Sequence, residues 1–112
     1  MRLWMVDPKI MCRQHLLGEH LETHMFVGSI NKGTSMDGYL RSGLLEIHNL
    51  RSRHDALVTE MVARGYNHKS PLPELKEVSL ALRCGTIDRG AALDELVRRC
   101  SECHERWRKL KA

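Results

Sequence analysis

Aromatic residues are scarce in this chain: one phenylalanine, two tyrosines and two tryptophans among 112 residues. Leu, Met, Val and Ile must therefore fill any core. No apolar run approaches the roughly 20 residues of a bilayer span, which excludes a transmembrane helix. The start carries one basic residue and reaches Asp7-Pro8 before any hydrophobic stretch forms, so it does not read as a secretory signal. Cys12, Cys84, Cys100 and Cys103 are too few for a disulfide scaffold, and a cytoplasmic, reducing location is expected. Strand-like alternation, internal repeats and low-complexity tracts are lacking as well.

What is present is a basic, helical pattern. The net charge of +4 and pI near 9.1 suit a partner that carries phosphates. The length bounds the chain to one small domain with a core of three or four helices. Asp7-Pro8 reads as a helix start, with an acidic N-cap and proline at the first position. From there Ile10, Leu17, Leu21 and Met25 share one side at helical spacing, with Met11 and Phe26 along its edge. Gly28 to Gly38 has loop chemistry. A second helix is expected from about Leu44 to Arg64, with Ile47, Leu50, Leu57 and Met61 inward and Gly65 as the C′ residue. Asn67 to Pro73 is a connector, because its two prolines cannot sit inside a helix. A short helix is expected from about Pro73 to Arg83, and a last one from about Asp88 to Lys109.

Three blocks carry chemistry: Met1-Arg2-Leu3-Trp4, then Gln14-His15-Leu16-Leu17-Gly18-Glu19-His20-Leu21-Glu22, then Leu50-Arg51-Ser52-Arg53 running on to Arg64-Gly65-Tyr66-Asn67. Over about the first seventy residues this pattern resembles the phage endonuclease V family of pyrimidine-dimer DNA glycosylases. The resemblance implies an all-α, endonuclease V-like fold and a glycosylase with coupled abasic-site lyase activity on ultraviolet-damaged duplex DNA. In that family an N-terminal α-amine attacks the sugar C1′, giving an imine, and β-elimination then breaks the strand. Here that places the Met1 amine as the nucleophile, since Arg2 is too bulky for ordinary methionine excision. An α-amine titrates about two units below a lysine side chain, which leaves a useful neutral fraction.

Glu22 takes the position of the family's catalytic glutamate. Met11, His15, Glu22 and Phe26 fall close to one helical row, so Glu22 sits at the margin of the apolar stripe. A partly desolvated carboxylate there can stabilise a developing oxocarbenium or handle protons. Gly18 lies beside that row and leaves room for the N-terminal segment to cross. Arg2, Gln14 and His15 match family residues that hold DNA, and Lys32, Arg51 and Arg53 are further candidates for phosphate contacts. Two departures stand out: arginines that flank the family's glutamate correspond to Leu21 and Met25, and the aromatic C-terminal tail is lacking. The chemistry requires no metal and no organic cofactor, and the expected form is a monomer.

A competing class is a non-catalytic helical binding module, either a nucleic-acid binder or a haem or metal carrier. Cys100-Ser101-Glu102-Cys103-His104 is a literal C-x-x-C-H, the attachment signature of c-type haem. Yet Leu93, Leu96, Val97, Cys100, Cys103 and Trp107 form one helical stripe, which makes the sulfurs small core-facing groups. Zinc between these cysteines and Cys12 or Cys84 would need spacings unlike recognised zinc modules. His20 and His24 are an i, i+4 pair with no third ligand in their segment, which favours a solvated face. His54 falls on the inward row of its helix and reads as a core histidine.

Overall fold

The structure is a computed structural model that describes residues 1–111. Five α-helices, α1 Arg13–Asn31, α2 Asp37–Arg41, α3 Leu50–Ala63, α4 Arg89–Arg99 and α5 Ser101–Lys111, are joined with three 3-10 turns, and no strand occurs among the described residues. The all-helical expectation holds, but five helices replace the expected three or four.

Asp7-Pro8 starts only a 3-10 turn, Pro8–Ile10, capped when Asp7 Oδ1 accepts from Lys9 N at 3.0 Å. The chain then extends through Cys12, whose sulfur accepts from His15 N at 3.4 Å and caps α1. Helix α1 runs on to Asn31, so the glycine-rich loop is shorter than expected. Its buried face is also rotated from the expected one. Leu16, Glu19, Thr23, Phe26, Val27 and Ile30 point inward, while Leu21 and Met25 are 59% and 48% exposed. That row accepts a charge, Glu19, because Arg53 of α3 neutralises it.

The expected helix over 73–83 reduces to a 3-10 turn, Leu80–Arg83. Asn31 bonds both Glu74 O (2.9 Å) and Lys76 N (2.8 Å), taking up backbone groups in an irregular segment that follows the buried Leu72. The expected last helix breaks at Cys100, which is extended (φ −127, ψ 111), into α4 and α5. Elsewhere sequence punctuation holds: Gly65 (φ 83) ends α3, with Tyr66 N on Met61 O, and Asp88 caps α4 through Ala91 N.

Helices α1 and α3 pack together, and α5 packs on α4 and on the Pro8–Ile10 turn. Three fastenings hold the N-terminal segment across this framework. Leu3 N donates to Leu44 O at 2.8 Å. Arg53 donates to Val6 O at 2.7 Å and to both Glu19 oxygens, at 2.6 and 2.9 Å, with the Arg53 and Glu19 side chains no more than 5% exposed. Removing one partner of such a buried pair costs about 3–5 kcal/mol, because the other charge is stranded. Arg2 reaches Glu95 of α4 at 2.6 Å. These contacts also hold Met5 in the left-handed region at φ 57, a conformation that costs a non-glycine residue about 1–3 kcal/mol.

Candidate active site

The N-terminal segment ends on α1. The backbone N–H of Arg2 donates to Glu22 Oε2 at 3.3 Å. One residue of backbone separates that nitrogen from the α-amine, so the Met1 nitrogen lies within about 7 Å of the carboxylate. Arg2 itself is turned away: its guanidinium pairs with Glu95 and lies 3.9 Å from the centre of the Trp4 ring. Trp4 in turn meets His15 edge-on. Arg2, the residue next to the α-amine, is thus held through both its backbone and its side chain.

Two carboxylates one turn apart on α1 meet different fates. Glu19 takes the bidentate Arg53 pair. Glu22 has no cationic side chain in hydrogen-bonding contact, and burial raises its pKa above the ordinary value. The Arg2 N–H and the terminal ammonium oppose that rise, and the Glu19 charge adds to it. A carboxylate with a raised pKa beside an amine is equipped for proton transfer at a carbon the amine attacks. The expected role of Gly18 is not borne out: a Cβ there would meet nothing within 4 Å, so the crossing segment does not need the glycine.

A family model described as "Pyrimidine dimer DNA glycosylase" matches residues 1–74. The chain belongs to that family. No curated protein and no solved structure matches it. Membership carries a DNA-repair role and a nucleic-acid partner, and the matched region contains the whole amine–carboxylate site.

Within this family member the other expected DNA-contacting residues are dispersed. Gln14 and Lys32 are exposed, Lys32 closing the C-terminal end of α1. Arg51 is exposed but holds the connector through Leu72 O and Pro73 O, at 3.3 and 3.2 Å. Arg53 requires correction: it is 6% exposed and its guanidinium is consumed by Glu19 and Val6, so no phosphate can reach it. A lone arginine in a helix reads as surface charge. The available signal was Glu19, a carboxylate inside the buried row of α1. His15 turns Nδ1 to sulfur, 3.2 Å from Cys12 Sγ and 3.7 Å from Cys103 Sγ.

The C-x-x-C-H cysteines therefore face the start of α1. Cys103 is fully buried, whereas His104 is exposed and stacks on Trp107. The three groups that would embrace a haem do not face a common side. His20 and His24 are also not a simple solvated pair. Their rings meet those of His54 and His68, and all four Nε2 atoms are buried without a hydrogen-bond partner. Burial lowers the His20 pKa to about 4, with the His54, His24 and His68 rings adding to the effect, so the ring carries no charge at neutral pH. His68 lies in the connector and His54 on α3, which is why neither is apparent from the α1 segment alone.

Proposed function

We propose that this chain is a DNA glycosylase with coupled abasic-site lyase activity, acting on pyrimidine dimers through an imine between its Met1 amine and the sugar C1′. The observation that carries the reading is the Arg2 N–Glu22 contact, which brings the start of the chain to a half-buried carboxylate lacking a strong cationic partner. The neutral amine attacks C1′ as the base leaves. Glu22 stabilises the cationic character at the sugar, and a proton delivered to the ring oxygen O4′ then breaks the C1′–O4′ bond of the resulting glycosylamine and opens it to the imine. The resulting imine acidifies C2′, and loss of a C2′ proton expels the 3′ phosphate, breaking the strand.

Around this pair the surface is more apolar than in the family pattern. Leu21 and Met25, where the family carries arginines, are exposed on either side of Glu22 in sequence, and Met1 is 36% exposed. In this reading the apolar groups meet the faces of unstacked bases, while exposed Gln14, Lys32 and Arg51 contact the backbone. Moving a nucleotide from the stack costs a few kcal/mol, which such contacts offset.

The test is borohydride trapping on duplexes holding an abasic site or a thymine dimer, with native and N-terminally acetylated protein. Acetylation removes the nucleophile and one positive charge but leaves the fold, since the amine precedes every helix. Expected are a reducible covalent adduct and strand cleavage for native protein, neither for acetylated protein, and only a modest loss of duplex binding. A trapped adduct from the acetylated protein would make a lysine the nucleophile and end the α-amine assignment.

A further inference from the structure

We propose that the chain carries two tetrahedral zinc sites, one formed by Cys12, His15, Cys100 and Cys103, the other by His20, His24, His54 and His68. Neither depends on the glycosylase reading, and each stands on its own geometry.

In the first site the four donor atoms lie within 4.8 Å of one another. Cys12 Sγ and Cys100 Sγ are 3.8 Å apart, and His15 Nδ1 is 3.2 and 3.7 Å from the sulfurs of Cys12 and Cys103. Zinc–sulfur bonds of about 2.3 Å and zinc–nitrogen bonds of about 2.05 Å, set tetrahedrally, require sulfur–sulfur edges of about 3.8 Å and sulfur–nitrogen edges of about 3.6 Å. The observed edges bracket those values, so one ion fits at the centre. An iron–sulfur cluster, which spreads its four ligands over two or four irons, needs a wider set. Backbone amides point at the sulfurs as they would at thiolates: Cys12 N on Cys103 Sγ (3.2 Å), His15 N on Cys12 Sγ (3.4 Å) and Cys103 N on Cys100 Sγ (3.5 Å). The break at Cys100, made without glycine or proline, is what turns both α4–α5 cysteines toward α1. Four protein donors with Cys12 and Cys103 buried leave no open coordination position. The ion is therefore structural, joining the start of α1 to the C-terminal helices.

The second site shows itself as four orphaned nitrogens. The Nε2 atoms of all four histidines are buried and unpartnered. Imidazoles bound through Nε2 place their ring centres about 3.2 Å from a zinc ion, and a tetrahedral set then spaces the rings about 5.2 Å apart. Five of the six ring pairs lie at 5.0 Å (His20–His24), 4.9 Å (His20–His54 and His20–His68), 5.2 Å (His24–His54) and 5.4 Å (His54–His68); the donor atoms of His20, His54 and His68 already lie within 4.8 Å of one another, and His24 stands outside that set and must move in to complete the tetrahedron. The His54 tautomer agrees. Asp55 Oδ1 lies 3.0 Å from His54 Nδ1, and a carboxylate only accepts, so His54 carries its proton on Nδ1 and offers a bare Nε2 lone pair. Such outer partners are what orient metal-binding histidines. This ion would fasten the connector, through His68, to α1 and α3.

The test uses full-length, tag-free protein, reduced, loaded with zinc sulfate and dialysed against metal-free buffer. Elemental analysis should find two zinc ions per chain. X-ray absorption at the zinc edge should show sulfur and nitrogen in a ratio of three to five, the average of the two donor sets. An organomercurial that caps thiols should release one of the two ions from wild-type protein. Cys100→Ser/Cys103→Ser should retain one ion in a nitrogen-only shell, and His20→Asn/His68→Asn should retain one in a sulfur-rich shell. If the organomercurial releases no zinc from wild-type protein, the cysteine site is overturned, even if its variant does not fold. A wild-type first shell without a nitrogen majority overturns the histidine site in the same way. A chain that holds only trace zinc after loading overturns both.

Discussion

At the scale of residues, Glu22 carries the sharpest consequences because burial raises its pKa. A carboxylate whose folded value exceeds its unfolded one keeps its proton to higher pH in the folded state. Its ionised form then costs stability, and the cost sets in as pH rises from the unfolded to the folded value. Glu22→Gln is therefore expected to melt at the same temperature as the parent or higher at neutral pH, by about 1 kcal/mol at most, while losing base release. Calorimetry and a dimer-glycosylase assay on one preparation check both halves. Turnover like the parent's, or a clear loss of stability, would make Glu22 an ordinary structural residue. The parent's single-turnover cleavage of an abasic duplex should fall on the acid side of a pH profile, above the range of a solvated glutamate. A motif singled out Glu22 in the sequence, and its expected partial burial is what the structure shows. Arg53 was misread because its partner lies 34 residues away.

Elements were legible where local chemistry decides them and lost where distant contacts do. Asp88, Gly65 and the Pro71–Pro73 connector behave as their residue types require. The face of α1 was missed, since Leu16, Glu19, Thr23 and Phe26 are a buried row only when Arg53 is present to pair Glu19. The α4–α5 break was missed too, because Cys100 has no local reason to leave the helix, and its sulfur is directed at residues 88 positions away. Position at the candidate site depends on such a distant contact. Glu95 of α4 holds Arg2, both partly exposed, and so fixes the residue next to the amine. Glu95→Ala should cost no more than about 1 kcal/mol of stability, as a partly exposed pair does. It should nonetheless slow imine trapping about 3- to 10-fold, because a nucleophile that wanders loses the benefit of orientation. Duplex affinity should stay close to the parent's, and a trapping rate equal to the parent's would show that the amine is positioned without α4.

For the molecule as a whole, family membership and folding unit have different boundaries. The match covers residues 1–74, and the amine, Glu22 and the α1–α3 pair all lie inside it. The core does not stop there. Ile87, Ala92, Leu96 and Cys103 are each no more than 4% exposed and complete the cluster that holds Leu3, Ile10 and Leu16. Buried Glu46 depends on the same region: its carboxylate accepts from Ile87 N at 2.7 Å and from Arg89 at 3.0 and 3.1 Å. Deleting a single buried leucine side chain costs about 2–5 kcal/mol. Leaving Glu46 without these partners adds a desolvated charge with nothing to offset it. Those losses together are comparable with the roughly 5–15 kcal/mol that holds an ordinary domain folded. A chain ending at Glu74 should therefore show no cooperative transition in urea, followed by far-ultraviolet circular dichroism and by the fluorescence of Trp4, its one remaining tryptophan. It should also give no trapped adduct, although every group named in the reaction is still present. A cooperative transition with native-like helicity from that fragment would mean that α4 and α5 are an appendage, and that the clamp on the N-terminus lies wholly in the first 74 residues.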